Sequence, residues 1–277
     1  MKELWSERDE RTLADFVAWV DAGDLLAMLY AIEGTSAGDR AADEAALDRW
    51  ASRVTERVKE SASPFMQARA LAEILGNEEG FTGDEEDYYH PNNCLLHSVL
   101  MRRRGMPILL SAVWIEVGRR AGLAVEGVGM PGHFLVRVGS SPGVLVDPFA
   151  GGVRITVDEC RRKLEGMSGG KLPWRPDFLR GIGVATIAER VLHNLVGAYG
   201  RQNDEAGRFR ALTFLSALRP DEPDNLLQRA EIAETLGVRD LAERVYTEIV
   251  ERFPDTQQAQ AAWEKLEGGS GDSPLVN

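Results

Sequence analysis

Apolar and polar positions follow different spacings in successive parts of the chain. From Leu13 to Leu75, apolar residues recur every three or four positions between turn residues, which predicts amphipathic helices. Asp24 is a suitable N-cap for one of them, and Ser63 followed by Pro64 is a suitable start for another. These helices carry no obvious cluster of reactive side chains, so we expect them to pack on the part that follows.

Short apolar runs replace the helical spacing in the middle of the chain. Residues 124–129, 133–138 and 144–148 have the pattern of strands, and the SSPG turn between the last two predicts a β-hairpin. The segment SAVWIEVGRRAGL before them has helical spacing and a glycine stop. The pattern therefore predicts a helix followed by an antiparallel sheet.

The predicted hairpin brings a histidine close to an aspartate. His133 opens its first strand and Asp147 ends its second, and facing side chains of an antiparallel pair lie about 5 Å apart. A carboxylate at that distance can hold an imidazole, either as part of a catalytic base or in a structural hydrogen bond. Asp147 also has a simpler interpretation, because the sequence DPF is typical of an Asx turn at a strand end.

Cys94 is the candidate nucleophile that such a base needs. Asn92 or Asn93 can cap the helix CLLHSVLMRR, which places Cys94 in its first turn, where the helix dipole lowers a thiol pKa. Most free cysteines, however, are small buried apolar residues. A helix of about ten residues is also about 15 Å long, so antiparallel packing on the next helix separates Cys94 from His133. Ser111, the nearest hydroxyl on that next helix, lies a turn inside and has no elbow motif.

Four segments carry a resemblance to a known family. They are FTGDEEDYYHPNN, RRRGMPI, PGHFLVRV and DPFAGG, and together they resemble the SirB-type transglutaminase-like proteins over roughly residues 70–265. The order of helix, strand, strand with His133 and strand with Asp147 is also that of the transglutaminase-like core, which papain-like thiol enzymes broadly share. The resemblance implies an α+β fold in which helices flank an antiparallel sheet and tetratricopeptide-like helices follow.

The resemblance also bears on activity. In the transglutaminase-like core, the nucleophile starts the helix that leads directly into the histidine strand. Here the start of that helix offers Pro107, Ile108 and Leu109, while Cys94 belongs to the helix before it. The resemblance therefore implies a core that departs from the active-enzyme pattern at the nucleophile.

An internal repeat marks the last part of the chain. Pro220 and Pro254 end similar segments 34 residues apart, which is the tetratricopeptide period. Two repeat units are too few to form a stable solenoid by themselves, so we expect them to pack against the core. The expected organisation is a helical layer at 1–80, the core at 81–165, repeat helices at 185–267 and a flexible tail at 268–277.

The charge of the chain limits the kinds of partner that it can bind. The chain has 277 residues, a formal net charge of −12 and a pI near 4.9, which argue against binding to nucleic acid or to an anionic membrane. The local basic cluster RRRG is more typical of a solvated helix end than of a nucleic-acid site. Two cysteines, Cys94 and Cys160, suit a reducing compartment, and the first residues lack a signal-peptide pattern, so we expect a cytoplasmic location.

Neither a cofactor nor a metal site is predicted, because phosphate-binding glycine loops and HExxH pairs are absent from the sequence. Two functions remain. The preferred one is a binding or scaffolding protein with a protein or peptide partner. The alternative is a thiol hydrolase or acyltransferase that uses Cys94, His133 and Asp147. The oligomeric state is left open.

Overall fold

A computed structural model describes residues 4–59 and 62–269 of the chain. The chain divides into two compact units. The larger unit is Trp19–Val191, and the smaller one combines the described residues before Trp19 with those from Leu192 onward.

The elements follow one another along both units. The α-helices are α1 (Glu7–Ala22), α2 (Leu25–Glu33), α3 (Ala37–Arg57), α4 (Pro64–Leu71), α5 (Leu96–Arg102), α6 (Pro107–Arg120), α7 (Val157–Ser168), α8 (Val184–Gln202), α9 (Glu205–Leu218), α10 (Pro223–Thr235), α11 (Arg239–Arg252) and α12 (Gln257–Gly269). The strands are β1 (Thr82–Gly83), β2 (Arg104–Gly105), β3 (Val125–Val128), β4 (Leu135–Val138), β5 (Val144–Asp147), β6 (Val153–Arg154) and β7 (Gly181–Ile182). The described chain also contains a π-helix, Ala72–Glu78, and 3-10 turns at Pro91–Cys94, Pro148–Ala150 and Pro176–Leu179.

Local sequence explains where several helices begin. Asp24 accepts a hydrogen bond of 2.9 Å from the backbone N–H of Ala27, and Ser63 caps α4 ahead of a proline at its first position, as the sequence predicts. Thr156 and Glu159 form a reciprocal capping box at the start of α7. These caps satisfy N–H groups that have no partner inside the helix.

The centre of the larger unit is an antiparallel sheet with strand order β6-β5-β4-β3-β7. Val128 pairs with Leu135 and Val136 pairs with Val146, so the three inner strands are those that the alternation predicts. The short edge strands β6 and β7 are additions. Helix α6, buried along nearly its whole length, packs against β3 and β4, which explains why its sequence is apolar on almost every side. The predicted α+β class is confirmed.

The apolar cluster around β4 and β5 includes a residue of α7. Leu135 and Leu145 lie in this cluster with Cys160, and Trp174 and Phe178 pack against it. Burial raises the pKa of the Cys160 thiol to about 11. Cys160 therefore anchors α7 on the sheet.

The segment around Cys94 differs from the prediction. Cys94 ends the 3-10 turn, and α5 begins at Leu96, so the thiol is not in the first turn of an α-helix. Asn93 does not cap α5 either, because its amide donates to the carbonyl oxygens of Asp87 and Tyr88 at 2.7 and 3.2 Å.

A side chain from α2 caps α5 instead. The carboxylate of Glu33 accepts hydrogen bonds from the backbone N–H groups of His97 and Ser98 at 2.7 and 3.2 Å. This cap comes from a residue 64 positions earlier in the chain, so local sequence gives no sign of it.

The basic cluster RRRG folds back on its own chain. Arg102 donates to Asn93 at 2.9 Å and to Asp84 at 2.7 Å. The Arg103 guanidinium lies over the rings of Trp50 and Phe81, 4.7 and 4.8 Å from their centroids. These arginines stabilise the loop that enters the core.

In the smaller unit, aromatic rings of the first residues pack on α9. Trp5 lies 6.2 Å from Phe209, and Phe16 lies 4.9 Å from Phe214, in both cases edge to face. Helices α9 to α12 contact one another in succession. Their tetratricopeptide character stays a prediction. Of the predicted tail 268–277, the first two residues belong to α12, and the rest lie outside the described residues.

Among the described residues, no helix combines the length with the hydropathy that crossing a bilayer requires.

The close contact of two glycines generates a stability prediction. A Cβ added at Gly76, in the π-helix, would collide with the backbone carbonyl oxygen of Gly151, whereas one at Gly166 in α7 would meet nothing within 4 Å. We expect Gly76→Ala to lower the free energy of unfolding by about 1–3 kcal/mol, because a backbone atom cannot turn away. Gly166→Ala is the matched control and should raise it by up to about 1 kcal/mol. Urea denaturation measures both, and equal effects would contradict the contact.

Candidate functional site

His133 and Asp147 form a buried hydrogen-bonded pair. Nε2 of His133 lies 2.8 Å from Oδ2 of Asp147, and their side chains are 6% and 4% exposed. The other oxygen of Asp147 accepts the backbone N–H of Phe149 at 3.1 Å. The Asx turn and the pairing with histidine, two interpretations of Asp147, are therefore compatible, because each uses a different oxygen.

Backbone contacts fix the position of the His133 ring. His133 does not open β4 as predicted but lies two residues before it, because its N–H donates to the carbonyl oxygen of Met130 at 3.1 Å and not to a neighbouring strand. Arg190 of α8 donates to the carbonyl oxygens of Met130 and His133 at 3.2 and 3.0 Å. Its guanidinium also lies 5.2 Å from the centroid of the Phe134 ring. Arg190 thus clamps the turn that carries His133, a role that the sequence does not indicate.

Lys163 completes the group and is the residue that sequence reasoning missed. Its Nζ lies 2.7 Å from Oδ2 of Asp147 and 3.1 Å from Nε2 of His133. Its side chain is 35% exposed, so the ammonium closes the pair on the solvent side. The only sequence signal is weak: Lys163 follows Cys160 by three positions and so lies near the face of α7 that meets the sheet.

The charges of this group favour an ionised Asp147. Burial alone raises the pKa of Asp147, but the hydrogen bonds and charges of His133 and Lys163 outweigh it and hold the pKa below its usual value. The ammonium of Lys163 therefore compensates the carboxylate.

Cys94 has a different environment from the pair. The residue is 1% exposed, and its Sγ lies 3.2 Å from Sδ of Met106. Burial raises the pKa of its thiol to about 12. Among the hydrogen bonds of the described residues, this thiol has none to His133. The structure brings His133 and Asp147 together and leaves Cys94 bonded elsewhere.

Aromatic residues from separate motifs meet beside the pair. The Phe149 ring lies 6.2 Å from the His133 ring and 5.8 Å from the Tyr88 ring. Gly83 makes room for Phe149, because a Cβ at Gly83 would overlap that ring. Burial raises the pKa of Tyr88, and the neighbouring Tyr89 and Cys94 raise it further. The segments FTGD, DYYHPNN and DPFAGG are therefore adjacent in space.

A comparison with known protein families identifies the family to which this sequence belongs. The family model described as the transglutaminase-like superfamily matches residues 42–193. The chain belongs to the transglutaminase-like superfamily. The superfamily fold that the four segments imply is thus confirmed, and the larger unit contains its core.

The chain is also similar to individual proteins of bacteria and of animals. The chain is 34% identical to a UPF0162 protein of Xylella fastidiosa (strain 9a5c) over 195 residues, 69% of each chain. It is 26% identical to a UPF0162 protein of Vibrio cholerae over 210 residues, 75% of this chain and 77% of the relative. It is 30% identical to F-box only protein 21 of Homo sapiens over 182 residues, 61% of this chain and 28% of that protein. No solved structure matches the chain.

A second histidine–aspartate pair lies elsewhere in the superfamily core. Nδ1 of His97 in α5 lies 2.9 Å from Oδ2 of Asp43 in α3, whose side chain is almost fully buried. Burial works against the charged imidazole, but Asp43 outweighs it and raises the pKa of His97. This pair joins two helices of the larger unit, and sequence reasoning missed it because the residues lie 54 positions apart.

Within residues 4–59 and 62–269, no three side chains of His, Cys, Asp or Glu lie close enough together to bind a metal ion.

The pairing of Lys163 with Asp147 generates a pH prediction. An aspartate whose folded pKa is lowered stabilises the protein above its unfolded pKa of about 3.9, and this stabilisation is lost as the pH falls through the folded value. Lys163→Gln removes one group that lowers this pKa. We expect it to reduce the free energy of unfolding by about 1 kcal/mol above pH 5, since solvent screens the ammonium in part, and by progressively less toward pH 2.

The measurement is urea denaturation of both proteins between pH 2 and 7. Arg162→Gln, on the same helix and exposed, is the matched control for loss of one positive charge. A loss that is independent of pH, or equal in the control, would show that Lys163 does not act through Asp147.

Proposed function

We propose that this protein binds or scaffolds a protein or peptide partner and that its transglutaminase-like core performs no thiol chemistry. The observation that supports the proposal is the state of Cys94. Cys94 is 1% exposed, and burial raises the pKa of its thiol to about 12, whereas the nucleophilic form is the thiolate. Burial is the cause of this shift, and Cys94 lies ahead of α5 rather than in its first turn, where the helix dipole would favour the thiolate.

The charge balance at Asp147 supports the same conclusion. In a thiol enzyme, the imidazole accepts the proton of the thiol, and the carboxylate stabilises the imidazolium. Here the ammonium of Lys163 lies 2.7 Å from the same oxygen of Asp147 that pairs with His133, so His133 shares this oxygen with a cationic side chain. The group is better suited to holding β4, β5 and α7 in fixed positions than to transferring a proton.

Other observations favour a protein or peptide as the partner. The same kind of core occupies 28% of F-box only protein 21, so it occurs as one part of a much longer chain. The net charge of −12 opposes binding to nucleic acid and to anionic membranes. Ala230, Ala242 and Tyr246 are buried, as a tetratricopeptide-like repeat in the C-terminal helices requires. We propose a reducing, cytoplasmic location, since both cysteines are free.

The alternative function is a thiol hydrolase or acyltransferase that uses Cys94, His133 and Asp147. The observation that favours it is the His133–Asp147 pair, which already has the hydrogen bond that would orient a general base. It requires a rearrangement that exposes Cys94 and frees His133 from Lys163.

Alkylation separates the two functions. In a Cys160→Ala background, we expect iodoacetamide to label Cys94 of the folded protein slowly between pH 6 and 8, because the thiol is buried and un-ionised. His133→Gln should not change the rate, since in the described residues the sulfur is hydrogen-bonded to Met106 and not to His133. Mass spectrometry of the labelled peptide over time gives the rate.

Unfolded protein in urea provides the control for a fully accessible thiol. Fast labelling that persists at mildly acidic pH and slows in His133→Gln would overturn the proposal and establish a thiol enzyme. Affinity capture with Cys94→Ala should retain the same proteins as the wild type, because the thiol has no part in a binding surface.

A further inference from the structure

Three ionisable side chains meet where α5 packs against α2 and α3. They are Glu33 at the end of α2, Asp43 in α3 and His97 in α5, and we call them the α5 junction. Both carboxylate oxygens of Asp43 lie within hydrogen-bond distance of Nδ1 of His97, at 2.9 and 3.0 Å. Glu33 accepts the backbone N–H groups of His97 and Ser98. Since each helix supplies one group, the packing of α5 depends on the charges of all three.

The junction holds more negative than positive charge when all its groups are ionised. The Asp43 side chain is 4% exposed, and its ion-pair partner among the described residues is His97. The half-buried Glu33 has N–H donors but shares the same positive charge. A neutral imidazole can still donate a hydrogen bond to Asp43, but it no longer offsets the charge of a buried carboxylate.

The protonation of all three groups favours the packed helix. Burial raises the pKa of Asp43 and of Glu33, and their hydrogen bonds offset this only in part. Burial works against a charged His97, but Asp43 and Glu33 outweigh it and raise the pKa of His97. A group with a raised pKa in the folded state gives stability that is lost as the pH rises through that pKa. The three shifts therefore have the same sign, and the proton of His97, with the highest ordinary pKa, is the last to leave.

Other charged groups around the junction have contacts of their own. Asp39 of α3 raises the pKa of both Asp43 and His97. Arg103, which follows α5, acts on Asp43 but pairs with Glu79. The remaining neighbours are Arg120 of α6, which acts on Tyr30 beside Asp43 and pairs with Asp48 and Glu116, Arg104 of β2, which donates to the carbonyl oxygen of Gly80, and His90 of the preceding turn, which accepts the N–H of Asn92.

The position of α5 also bears on Cys94. The 3-10 turn Pro91–Cys94 leads into α5 through Leu95 alone. Cys94 is 1% exposed, with its Sγ against Sδ of Met106, the residue just before α6. A movement of α5 away from α2 and α3 therefore displaces the segment that keeps this thiol covered.

We propose that the α5 junction is a pH-sensitive switch, in which the charged His97 holds α5 in place and loss of its proton loosens α5 and uncovers Cys94 more often. Local opening of one helix, without unfolding of the rest, is an ordinary response to the loss of a buried charge pair. The switch does not depend on the proposed function. It supplies the kind of rearrangement that the alternative, a thiol enzyme, requires.

Thiol labelling at two pH values tests the switch. In the Cys160→Ala background, the rate for Cys94 with iodoacetamide in urea is divided by the rate in the folded protein at the same pH. This protection ratio cancels the effect of pH on the thiol itself. Between pH 6 and 9 we expect it to fall by about tenfold for each unit by which the pKa of His97 is higher in the packed than in the open state.

Variants assign the effect to His97. His97→Gln keeps a hydrogen-bond donor but cannot become charged, so its protection ratio should be low at pH 6 and nearly independent of pH. His193→Gln, an exposed position of α8, is the matched control and should retain the pH dependence of the parent protein. Equal ratios at pH 6 and 9 in the parent, or an unchanged pH dependence in His97→Gln, would overturn the proposal.

Two measurements on the unsubstituted protein keep the test valid if His97→Gln does not fold. In a nuclear magnetic resonance titration, the imidazole of His97 should change its charge over the same pH range in which the protection ratio falls. Hydrogen exchange should show that amides of α5 lose protection over this range while those of α11 keep it. A different pH range, or an equal loss in both helices, would show that α5 does not respond to His97.

Discussion

The carboxylate of Asp147 is the charge around which the core of the larger unit is arranged. A buried carboxylate is costly unless hydrogen bonds and opposite charge compensate it, and three different elements supply these. The backbone N–H of Phe149 comes from the turn after β5, the imidazole of His133 comes from the turn before β4, and the ammonium of Lys163 comes from α7. Removing any of them leaves part of the charge without a partner, so these elements depend on one another.

The same compensation limits the chemistry of the site. In a catalytic triad the carboxylate stabilises the charged form of the histidine, and here the ammonium of Lys163 lies 2.7 Å from the same carboxylate oxygen. Cys94 lacks activation for an independent reason, because its thiol is buried against Met106. The superfamily fold is therefore kept while two separate conditions for thiol catalysis are unmet, which is why we favour a binding role.

The motifs that identify the superfamily act in this chain mainly through packing. Gly83 of the FTGD segment leaves room for Phe149 of the DPFAGG segment, and Gly76 of the π-helix lies against the backbone of Gly151. Tyr88 of the DYYHPNN segment completes the contact with Phe149. Because these contacts need small residues and close backbone approach, they specify the fold whether or not the core has an enzymatic activity.

The sequence by itself determined the features that depend on near neighbours. Alternation located β3, β4 and β5, and the hairpin between the last two brings the turn that carries His133 close to Asp147. Local capping chemistry located the starts of α2 and α4, because the groups that bond lie within three residues of each other.

Only the tertiary structure decided which distant groups share a partner. Lys163 reaches Asp147, Glu33 caps α5 and Asp43 holds His97 because packed helices bring together residues that lie 16 to 64 positions apart. The burial of Cys94 is of the same kind. Its position near a helix start favours a reactive thiol in the sequence, but the desolvation that raises its pKa comes from residues that surround it only in the folded chain. Hydrogen-bond caps and strand alternation are local in sequence, whereas burial and charge compensation depend on every element that packs around a group.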